Sequence, residues 1–284
     1  MFTGRTKNLG ILGWPVEHSL SPAMQNAALQ KAGLDYVYVA LPVQPKHLGD
    51  AVAGLRHMGF AGWNVTIPHK SEILPLLDDV HEDARVIGAV NTVVRSGEKL
   101  IGYNTDVAGF LAGLEAAGCT AEGKHAVMLG AGGAARAVLW GLCKSKVSDI
   151  VVGVRNPQKA QTLADDFRGY GRISVLHWAD NVFAEALSQA ELLINTTPIG
   201  MYPKVDDMPP VELKRLPKSA LVYDIIYTPE KTKLLQEAER LGHPIVNGEP
   251  MLVGQGAEAF RLWTGVQPDE ALMRTILRKG TGNK

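Results

Sequence analysis

The stretch Gly130-Ala131-Gly132-Gly133-Ala134-Ala135 decides the fold of this chain. It follows a predicted strand, His125–Leu129, and opens a predicted helix, Ala134–Cys143. In the pattern G-x-G-x-x-A, the first glycine allows a tight turn, the second lets a pyrophosphate approach the backbone, and the small third residue lets helix and strand pack closely. The helix N-terminus adds free N–H groups and a positive dipole end, which favour phosphate. The stretch predicts a dinucleotide site at Gly130, Ala131, Gly132, Gly133 and Ala134; the alternative is a tight turn without a ligand.

The chain after this stretch alternates strands and helices. Predicted strands lie at Ile150–Val154, Ile173–Leu176, Leu192–Asn195, Leu221–Asp224 and Ile245–Val246, and a helix lies at Pro157–Phe167. Such alternation predicts a parallel sheet with helices on its faces. A helix at about Val107–Ala117 is interpreted as the bridge from another domain. We therefore predict a Rossmann-type dinucleotide-binding domain over residues 106–245.

The end of the next strand indicates which dinucleotide binds. An NAD site usually has Asp or Glu there to accept the ribose hydroxyls. Here the strand ends at Val154, Arg155 and Asn156, and the nearby Asp149 lies at the wrong end of the strand. A carboxylate would repel a 2′-phosphate, whereas a guanidinium can bind it in a bidentate fashion. The segment favours NADP over NAD, with a solvated loop charge as the plain alternative for Arg155.

The first part of the chain also predicts an α/β domain. Predicted strands lie at Leu9–Leu12, Val37–Leu41 and Gly62–Ile67, predicted helices at Ser21–Ala32 and Lys46–Met58, and a hairpin joins Val90–Val94 to Leu100–Tyr103. Ser21 is predicted as the N-cap of its helix, with Pro22 at the first helical position. The strand–helix alternation predicts a largely parallel sheet.

The C-terminal tail predicts that this first domain is discontinuous. Two helices, Met251–Trp263 and Glu270–Lys279, follow the last strand. Two helices without strands cannot close a domain alone, so we expect them to pack back on the first domain. The predicted fold class is therefore α/β with two domains: residues 1–105 plus 246–284 form one, and residues 106–245 form the other.

Composition excludes several classes of protein. The 284 residues are 46% hydrophobic and 20% charged, which disfavours disorder and a coiled coil. The 29 basic residues balance 29 acidic ones, so no global positive field attracts nucleic acid or an anionic membrane. The chain has only two cysteines, which excludes a disulfide framework, and no His, Asp or Glu grouping has metal-ligand spacing. No apolar run approaches the roughly 18 residues of a membrane span, and the N-terminus lacks the apolar region of a signal peptide. We expect a soluble cytoplasmic protein without a metal site.

Polar residues of the first domain gather at predicted strand and helix ends. Ser19 and Ser21 flank a helix start, and an N-cap pair is their plain interpretation. Asn64-Val65-Thr66-Ile67-Pro68-His69-Lys70 is denser and lies at a strand's carboxyl end, where α/β sites form. Asn91 is interpreted as closing another strand, and Asn104-Thr105-Asp106 as capping the bridging helix, which would by itself explain Asp106.

Together these segments resemble the shikimate dehydrogenase family over nearly the whole chain. The matching motifs are Ser19-Leu20-Ser21-Pro22, Asn64–Lys70, Gly88-Ala89-Val90-Asn91-Thr92, Gly102-Tyr103-Asn104-Thr105-Asp106, Gly130–Arg136, Asn195-Thr196-Thr197 with Gly200-Met201, and Gly248–Gln255. The resemblance implies NADPH-dependent reduction of 3-dehydroshikimate to shikimate on the way to chorismate and the aromatic amino acids. It also implies two domains with a cleft between them, and often a homodimer.

The resemblance also implies roles for individual residues. Ser19 and Ser21 are expected to bind the substrate carboxylate. Lys70 is expected to be the catalytic acid/base, paired with Asp106. The residues expected around the substrate hydroxyls and ring are Thr66, Asn91, Asp106, Tyr227 and Gln255, with Glu82 as a weaker candidate. Those expected near the cofactor's ribose and nicotinamide are Asn195, Thr197, Ile225 and Gly248.

Departures from the family pattern leave alternatives open. The family often has Asn-Arg-Thr where this chain has Val154-Arg155-Asn156, so some use of NAD stays possible. A quinate/shikimate dehydrogenase that also uses NAD is the nearest alternative function, although the extra hydroxyl of quinate would crowd the serine pair. A non-catalytic nucleotide-binding protein is disfavoured by the presence of both Lys70 and Asp106. His69 is the competing acid/base, and Gln25 replaces a histidine common in the family.

Overall fold

The computed structural model describes residues 2–281 and separates into two compact units. Unit 1 contains the chain up to Thr105 together with the chain from Val253 onward, and unit 2 is Asp106–Leu252. The sequence placed residues 246–252 in the first domain, and this was wrong. Those residues belong to unit 2, where the strand Ile245–Val246 pairs with the strand Leu221–Asp224.

Unit 1 is built on a six-stranded sheet. Its strands are β1 (Lys7–Gly13), β2 (Tyr36–Pro42), β3 (Gly62–Val65), β4 (Asp79–Val80), β5 (Thr92–Ser96) and β6 (Lys99–Tyr103). Its helices before the crossover are α1 (Ser21–Lys31), α2 (Leu48–His57) and α3 (Glu82–Ile87). The strand order is β2-β1-β3-β5-β6-β4.

The sheet of unit 1 is mixed rather than largely parallel. β1 runs parallel to β2 and β3, and β4 runs parallel to β6. β5 is antiparallel to both β3 and β6. The predicted hairpin is present, and it enters the sheet beside β3, which reverses the direction of the chain there. The start of β5 therefore lies beside the carboxyl end of β3.

Several predicted elements differ in extent. The predicted helix Lys46–Met58 is a short 3₁₀ turn, Pro45–His47, followed by α2. β4 and α3 were not predicted. Ser21 is the first residue of α1, and Leu20, already in a helical conformation, takes the N-cap position without a side-chain cap. The N-cap prediction for Ser21 was therefore wrong, and its hydroxyl is not used on its own helix end.

Unit 2 is built on a second six-stranded sheet. Its strands are β7 (His125–Leu129), β8 (Asp149–Val154), β9 (Ile173–His177), β10 (Leu192–Asn195), β11 (Leu221–Asp224) and β12 (Ile245–Val246). Its helices are α4 (Asp106–Ala116), α5 (Gly133–Lys144), α6 (Pro157–Asp166), α7 (Asn181–Gln189) and α8 (Lys233–Arg240). The order is β12-β11-β10-β7-β8-β9, and every pair is parallel.

This second topology fixes where a ligand is expected. From β7 the chain winds outward through β8 and β9, then returns to add β10 on the other side of β7. The order therefore reverses between β7 and β10. In open α/β sheets, ligands bind outside the carboxyl ends of the strands at this switch point. α7 and α8 were not predicted, but they cover the sheet as the alternation requires.

Two further helices complete the chain, α9 (Glu249–Thr264) and α10 (Glu270–Thr281). Within unit 1, the indole N–H of Trp263 donates to the carbonyl of Val93 at 2.9 Å, and the buried Gln25 donates to the carbonyl of Gly256 at 2.9 Å. α10 packs against α1. The expectation that the tail helices pack on the first domain is met. None of the described helices is long and apolar enough to cross a membrane.

Candidate functional site

The glycine-rich turn lies at the switch point of unit 2. β7 ends at Leu129, Gly130 has a φ of +97°, and α5 begins at Gly133. A positive φ of this size suits glycine, so the turn could not hold a larger residue without strain. On its inner side, a Cβ at Gly130 would lie 2.7 Å from Cγ2 of Thr197. The turn therefore packs directly against the residue that follows β10.

The outer side of the same turn is open. A Cβ built at Gly132 or Gly133 meets no atom within 4 Å. The N-terminus of α5 has no side-chain cap. Backbone N–H groups at such a helix start are suited to an anion, and the uncapped turn leaves room for one. The residues present therefore fit a dinucleotide pyrophosphate.

Asn195 and Thr197 form a hydrogen-bonded link beside the glycine turn. Asn195 is fully buried at the end of β10, and its Oδ1 accepts from the N–H of Thr197 at 3.0 Å and from its hydroxyl at 2.7 Å. The Nδ2 of Asn195 donates to Oδ1 of Asp224 at 3.0 Å. The ends of three adjacent strands, β7, β10 and β11, are thus connected at the edge where the cofactor is expected.

Ile225 and Gly248 approach each other within unit 2. The N–H of Gly248 donates to the carbonyl of Ile226 at 2.9 Å. A Cβ at residue 248 would collide with the carbonyl group of Ile225. Only glycine permits this contact, which brings two segments implied to hold the cofactor into direct backbone contact.

Of the three residues expected to bind the 2′-phosphate, two have side chains that are engaged elsewhere. The side chain of Val154 is buried in the sheet, and Oδ1 of Asn156 accepts from the N–H of Lys159 at 3.1 Å as the N-cap of α6. Arg155 is exposed. Lys159, which the sequence analysis did not select, lies in the first turn of α6. Its position in the sequence, four residues after Arg155 at the start of a predicted helix, could have identified it as a second cation near the 2′-phosphate.

Unit 1 contains a buried network of neutral polar side chains. The Tyr38 hydroxyl donates to Oδ1 of Asn64 at 2.6 Å, and Nδ2 of Asn64 donates to Oγ1 of Thr92 at 3.0 Å and to the carbonyl of Asn91 at 3.1 Å. Oδ1 of Asn91 accepts from the N–H of Thr105 at 2.8 Å. The network ties β2, β3 and β5 to the residue immediately before Asp106.

Asn91 lies before β5 and does not close a strand, contrary to prediction. β5 is antiparallel to β3, so the residue that precedes it comes beside the carboxyl end of β3. The N–H of Val65 donates to the carbonyl of Asn91 at 2.8 Å, and Thr66 follows at once. Thr66, Lys70 and Asn91 therefore come from one edge of the sheet, although the strand directions differ from those expected.

His69 and Lys70 differ sharply in environment. His69 is buried, with Nε2 2.7 Å from the carbonyl oxygen of Val43, and its Nδ1 meets no hydrogen-bond partner among the described residues. Lys70 is partly exposed, and its carbonyl accepts from the N–H of Val90 at 2.7 Å. The contact of His69 with Val43 holds the loop in place, which disfavours His69 as the acid/base. Lys70 belongs to the same loop, which the bond from Val90 also fixes.

The serine pair lies at the start of α1. The N–H of Ser21 donates to Oγ of Ser19 at 3.3 Å, and both residues are partly exposed. Burial raises the pKa of Tyr38 well above its usual value, while a hydrogen bond from Ser21 opposes that rise. Because the Tyr38 hydroxyl already donates to Asn64, Ser21 is the donor in that contact.

The remaining predicted residues are divided between the units. Gln255, on α9, belongs to unit 1 and is partly exposed, and Glu82 is exposed at the start of α3. Asp106, the first residue of α4, and Tyr227, which is 38% exposed, belong to unit 2. Within the described residues, no group of three or more His, Cys, Asp or Glu side chains has an arrangement suited to a metal ion.

The sequence reasoning missed three supporting residues: Tyr38, Thr105 and Asp224. Tyr38 and Asp224 occur as ordinary strand residues, and nothing in their local sequence marks them. Thr105 stood within a motif but was interpreted only as part of a helix cap. Their roles appear once strand register brings Tyr38 to Asn64, and Asp224 to Asn195.

Family descriptions match three parts of the chain. Residues 11–93 match the shikimate dehydrogenase substrate binding domain, residues 114–225 match shikimate / quinate 5-dehydrogenase, and residues 248–278 match the shikimate 5′-dehydrogenase C-terminal domain. These segments contain the serine motif, Asn64–Lys70, Gly88–Thr92, the glycine turn and Asn195–Thr197, whereas the motif Gly102–Asp106 lies between the first two matched segments.

Similar proteins match over nearly the full length. Shikimate dehydrogenase (NADP(+)) of Methanothermobacter thermautotrophicus is 43% identical over 279 residues, covering 98% of each chain. The structure of shikimate 5-dehydrogenase from Thermus thermophilus in complex with NADP(H) and shikimate is 38% identical, with a TM-score of 0.86 over 96% of this chain and 99% of that one. Shikimate 5-dehydrogenase from Listeria monocytogenes in complex with shikimate and NAD is 34% identical, with a TM-score of 0.94 over 97% and 98%.

Proposed function

The chain belongs to the shikimate dehydrogenase family, and from this premise we propose that Lys70 carries the proton, with Asp106 as its charged partner, in the reaction it catalyses. That reaction is the NADP-dependent, reversible reduction of 3-dehydroshikimate to shikimate. Its product serves the synthesis of chorismate and the aromatic amino acids. The observation that carries this function is 43% identity along 98% of the chain to an NADP-dependent shikimate dehydrogenase.

Unit 2 holds the cofactor in this proposal. The turn Gly130–Ala134 binds the pyrophosphate through backbone N–H groups at the start of α5. Asn195, Thr197, Ile225 and Gly248 surround the ribose and nicotinamide. When bound, NADPH supplies the hydride, and the protein's task is to orient it and to exclude water. The open outer face of the glycine turn and its tight inner face support this assignment.

Unit 1 holds the substrate. Ser19 and Ser21 bind the carboxylate as hydroxyl donors, which requires Ser21 to turn its proton from Tyr38 toward the ligand. As the family resemblance implies, the hydroxyls and the ring are bound by Thr66, Asn91, Asp106, Tyr227 and Gln255. Thr105 fixes the amide of Asn91, because its N–H donates to Oδ1 of Asn91 at 2.8 Å and its Oγ1 accepts from Nδ2 of Asn91 at 3.1 Å.

Lys70 completes the reaction. Hydride addition to a ketone leaves negative charge on the oxygen, and that oxygen needs a proton. The Nζ of Lys70 donates it in the direction of reduction and accepts it in the direction of oxidation. Its loop is fixed by the bond from Val90 and by the buried ring of His69, so the ammonium is presented from a rigid segment.

Arg155 provides the preference for NADP. Its exposed guanidinium, beside the start of α6, pairs with the 2′-phosphate, and Lys159 in the first turn of that helix adds a second cation. Val154 contributes backbone only, because its side chain is buried. Asn156 caps α6 and orients this segment without binding the phosphate through its amide oxygen.

A cytoplasmic location, which the composition predicts, and a homodimer, which the family resemblance implies, complete the proposal. The balanced charge of the chain agrees with a small-molecule substrate as its partner, without nucleic acid or membrane. Sedimentation of the purified protein tests the assembly, and a single species of monomer mass would reject the dimer.

Steady-state kinetics tests the function. We expect reduction of NADP⁺ with shikimate, followed by nicotinamide absorbance, and loss of that signal in Lys70→Ala. The same assay with quinate and with NAD⁺ tests the second candidate, a quinate/shikimate dehydrogenase. That candidate is favoured by one observation, namely that Arg155 is the one charged residue of its three-residue segment, Val154-Arg155-Asn156. Equal efficiency with both cofactors and with quinate would replace the proposal by this alternative.

A further inference from the structure

Asp224 is a buried carboxyl group to which the proposed reaction gives no task. It ends β11 and is 0% exposed. Within the part of the chain that the structure describes, its three hydrogen-bond donors are uncharged: Nδ2 of Asn195 at 3.0 Å, the N–H of Ile226 at 3.1 Å and Oγ1 of Thr232 at 2.6 Å. A buried carboxyl is costly to maintain, so its contacts indicate what it does.

The nearby lysines do not serve as its counter-ions. Lys218 Nζ donates to the carbonyl of Leu241 at 2.6 Å. Lys231 Nζ lies 2.8 Å from Glu239 Oε2, and Lys233 Nζ donates to the carbonyl of Asp206 at 2.9 Å. Both lysines flank Thr232 and point to other partners. The group is therefore held by neutral donors, and its contribution lies in the positions of those donors.

The two oxygens of Asp224 have different partners. Among the described residues, Oδ2 accepts from Thr232 alone, and Thr232 also caps α8 by accepting from the N–H of Leu235. Oδ1 accepts from Asn195 and from Ile226, which belong to two different segments. One segment leads to Thr197 and the other contains Ile225. A single atom thus connects both segments that the proposed function places at the ribose and nicotinamide.

The amide of Asn195 has one workable orientation because of this contact. Its Nδ2 faces an acceptor on Asp224, and its Oδ1 faces two donors on Thr197. A flipped amide would place its N–H groups against the donors of Thr197 and its oxygen against a carboxyl oxygen. Thr197 in turn packs against Gly130 at the glycine turn. The chain of contacts therefore runs from Asp224 to the pyrophosphate turn.

We propose that Asp224 is a positioning residue for the dinucleotide, and that its Oδ1 sets the geometry of the Asn195–Thr197 turn and of the Ile225–Ile226 backbone together. This inference rests on the proposed function for the identity of the cofactor. Charge is not required, because a neutral carbonyl oxygen at the same place accepts both bonds. Asp224→Asn keeps such an oxygen and can donate its amide N–H to Oγ1 of Thr232.

The test is a titration of NADPH fluorescence with the full chain, together with kcat and KM. Asp224→Ala removes both Oδ1 bonds, and we expect its Kd and KM for NADPH to rise about tenfold or more, with kcat at saturation changed much less. Asp224→Asn is the conservative variant and stays within about threefold of wild type. Equal affinity of Asp224→Ala and wild type would overturn the inference.

Thr232→Val is the matched control, because it removes only the Oδ2 contact and the cap of α8. It should lower thermal stability without weakening NADPH binding by more than about twofold. Equal weakening in Thr232→Val and Asp224→Ala would show a merely structural role. If Asp224→Ala does not fold, Thr197→Val breaks the same link at its far end, and unchanged NADPH affinity in that variant rejects the inference.

Binding separates this inference from the proposed function. A wild-type protein that binds NADPH but does not oxidise shikimate refutes the function, while the Kd comparison of the variants still decides the role of Asp224. A wild-type protein that does not bind NADPH refutes both.

Discussion

Both units fix polar side chains at strand ends by buried hydrogen bonds, but the groups that form these bonds differ in charge. In unit 1 the network of Tyr38, Asn64, Asn91 and Thr105 is made of neutral groups whose donors and acceptors match. In unit 2 the corresponding link, Asn195 to Asp224, ends on a buried carboxyl. Burial raises the pKa of Asp224 to about 6, against three hydrogen bonds that lower it.

The difference has a physical consequence. A neutral network holds its geometry at any pH at which the protein is folded. The ionised form of a buried carboxyl lacks the solvation that it would have in water. Its ionisation at neutral pH therefore costs free energy, although the carboxylate oxygens are strong hydrogen-bond acceptors. Substrate positioning in unit 1 should therefore depend little on the protonation of its supports, while the stability of unit 2 should vary with pH.

The largest expected effect concerns Lys70, the proposed proton carrier of unit 1. Lys70→Ala should lower kcat by about 10²–10⁴-fold, roughly 3–5 kcal/mol of barrier, with most substrate affinity retained. Steady-state kinetics with shikimate and NADP⁺ measures this. Lys46→Ala, an exposed lysine of the same unit, is the control. A kcat near that of wild type would remove Lys70 from the role of proton carrier.

A carboxyl placed in the neutral network should make the stability of unit 1 depend on pH, as we expect for unit 2, and should lower that stability at neutral pH. In Asn64→Asp, the second oxygen faces the carbonyl of Asn91 instead of donating to it. We expect a loss of about 3 kcal/mol in the free energy of unfolding at pH 7.5, because a buried charged group is left against an acceptor. Urea unfolding measures the loss.

The sign of the pH effect sharpens this second prediction. Protonation lets the new carboxyl donate to the Asn91 carbonyl, so the loss should shrink as the pH falls. Asn181→Asp, at the exposed start of α7, is the control and should be nearly neutral. A loss that does not change with pH would mean that the network tolerates charge and that the contrast between the units is not electrostatic.

Removing the Asp224 carboxyl from unit 2 should raise the free energy of unfolding at neutral pH, whereas adding a carboxyl to unit 1 should lower it. The pKa of Asp224 in the fold is about 6, above the ordinary value of 3.8, so the folded state binds this proton more tightly. Its contribution to stability is fully present below the ordinary pKa and is lost as the pH rises through about 6. The difference between a pKa of 3.8 and one of about 6 corresponds to roughly 3 kcal/mol in the free energy of unfolding.

Asp224→Asn should therefore gain stability relative to wild type as the pH rises from about 4 to 8, by up to about 3 kcal/mol. Unfolding curves of both proteins across this range measure the gain. Asp50→Asn, which alters an exposed carboxylate on α2, should show no such trend. A constant difference between Asp224→Asn and wild type would place the titration elsewhere.

The sequence predicted those parts of the site that are local in the chain. The strand, turn and helix around Gly130 follow from residues that touch one another, so the dinucleotide fold could be recognised directly. Asn91 was misplaced because its position depends on β5 pairing antiparallel to β3, a choice that alternation of elements does not encode. Asp224 was missed because its partner, Asn195, is reached only through strand register.

The helix start at Ser21 shows a different limit. A serine followed by proline is typical of a helix cap, yet the helical turn already includes Leu20, and the hydroxyl of Ser21 turns to Tyr38. Tertiary contacts outweighed the local signal there. The position of Ser21 at a helix start could not by itself distinguish substrate binding from capping. Only the family resemblance predicted substrate binding.

The smallest expected effect lies at the edge of unit 2, where the polar groups are exposed and solvent weakens each contact. Arg155→Asp replaces the proposed donor for the 2′-phosphate by a repelling charge, and it offers an acceptor to the ribose of NAD. A charge-assisted pair of about 1.5–3 kcal/mol corresponds to roughly one to two decades in cofactor preference. The ratio of kcat/KM for NADP⁺ and NAD⁺ at saturating shikimate measures it, with Arg172→Asp as the control. If the ratios of variant and wild type agree within about twofold, Arg155 is a surface charge, and the exposed rim contributes nothing to cofactor choice.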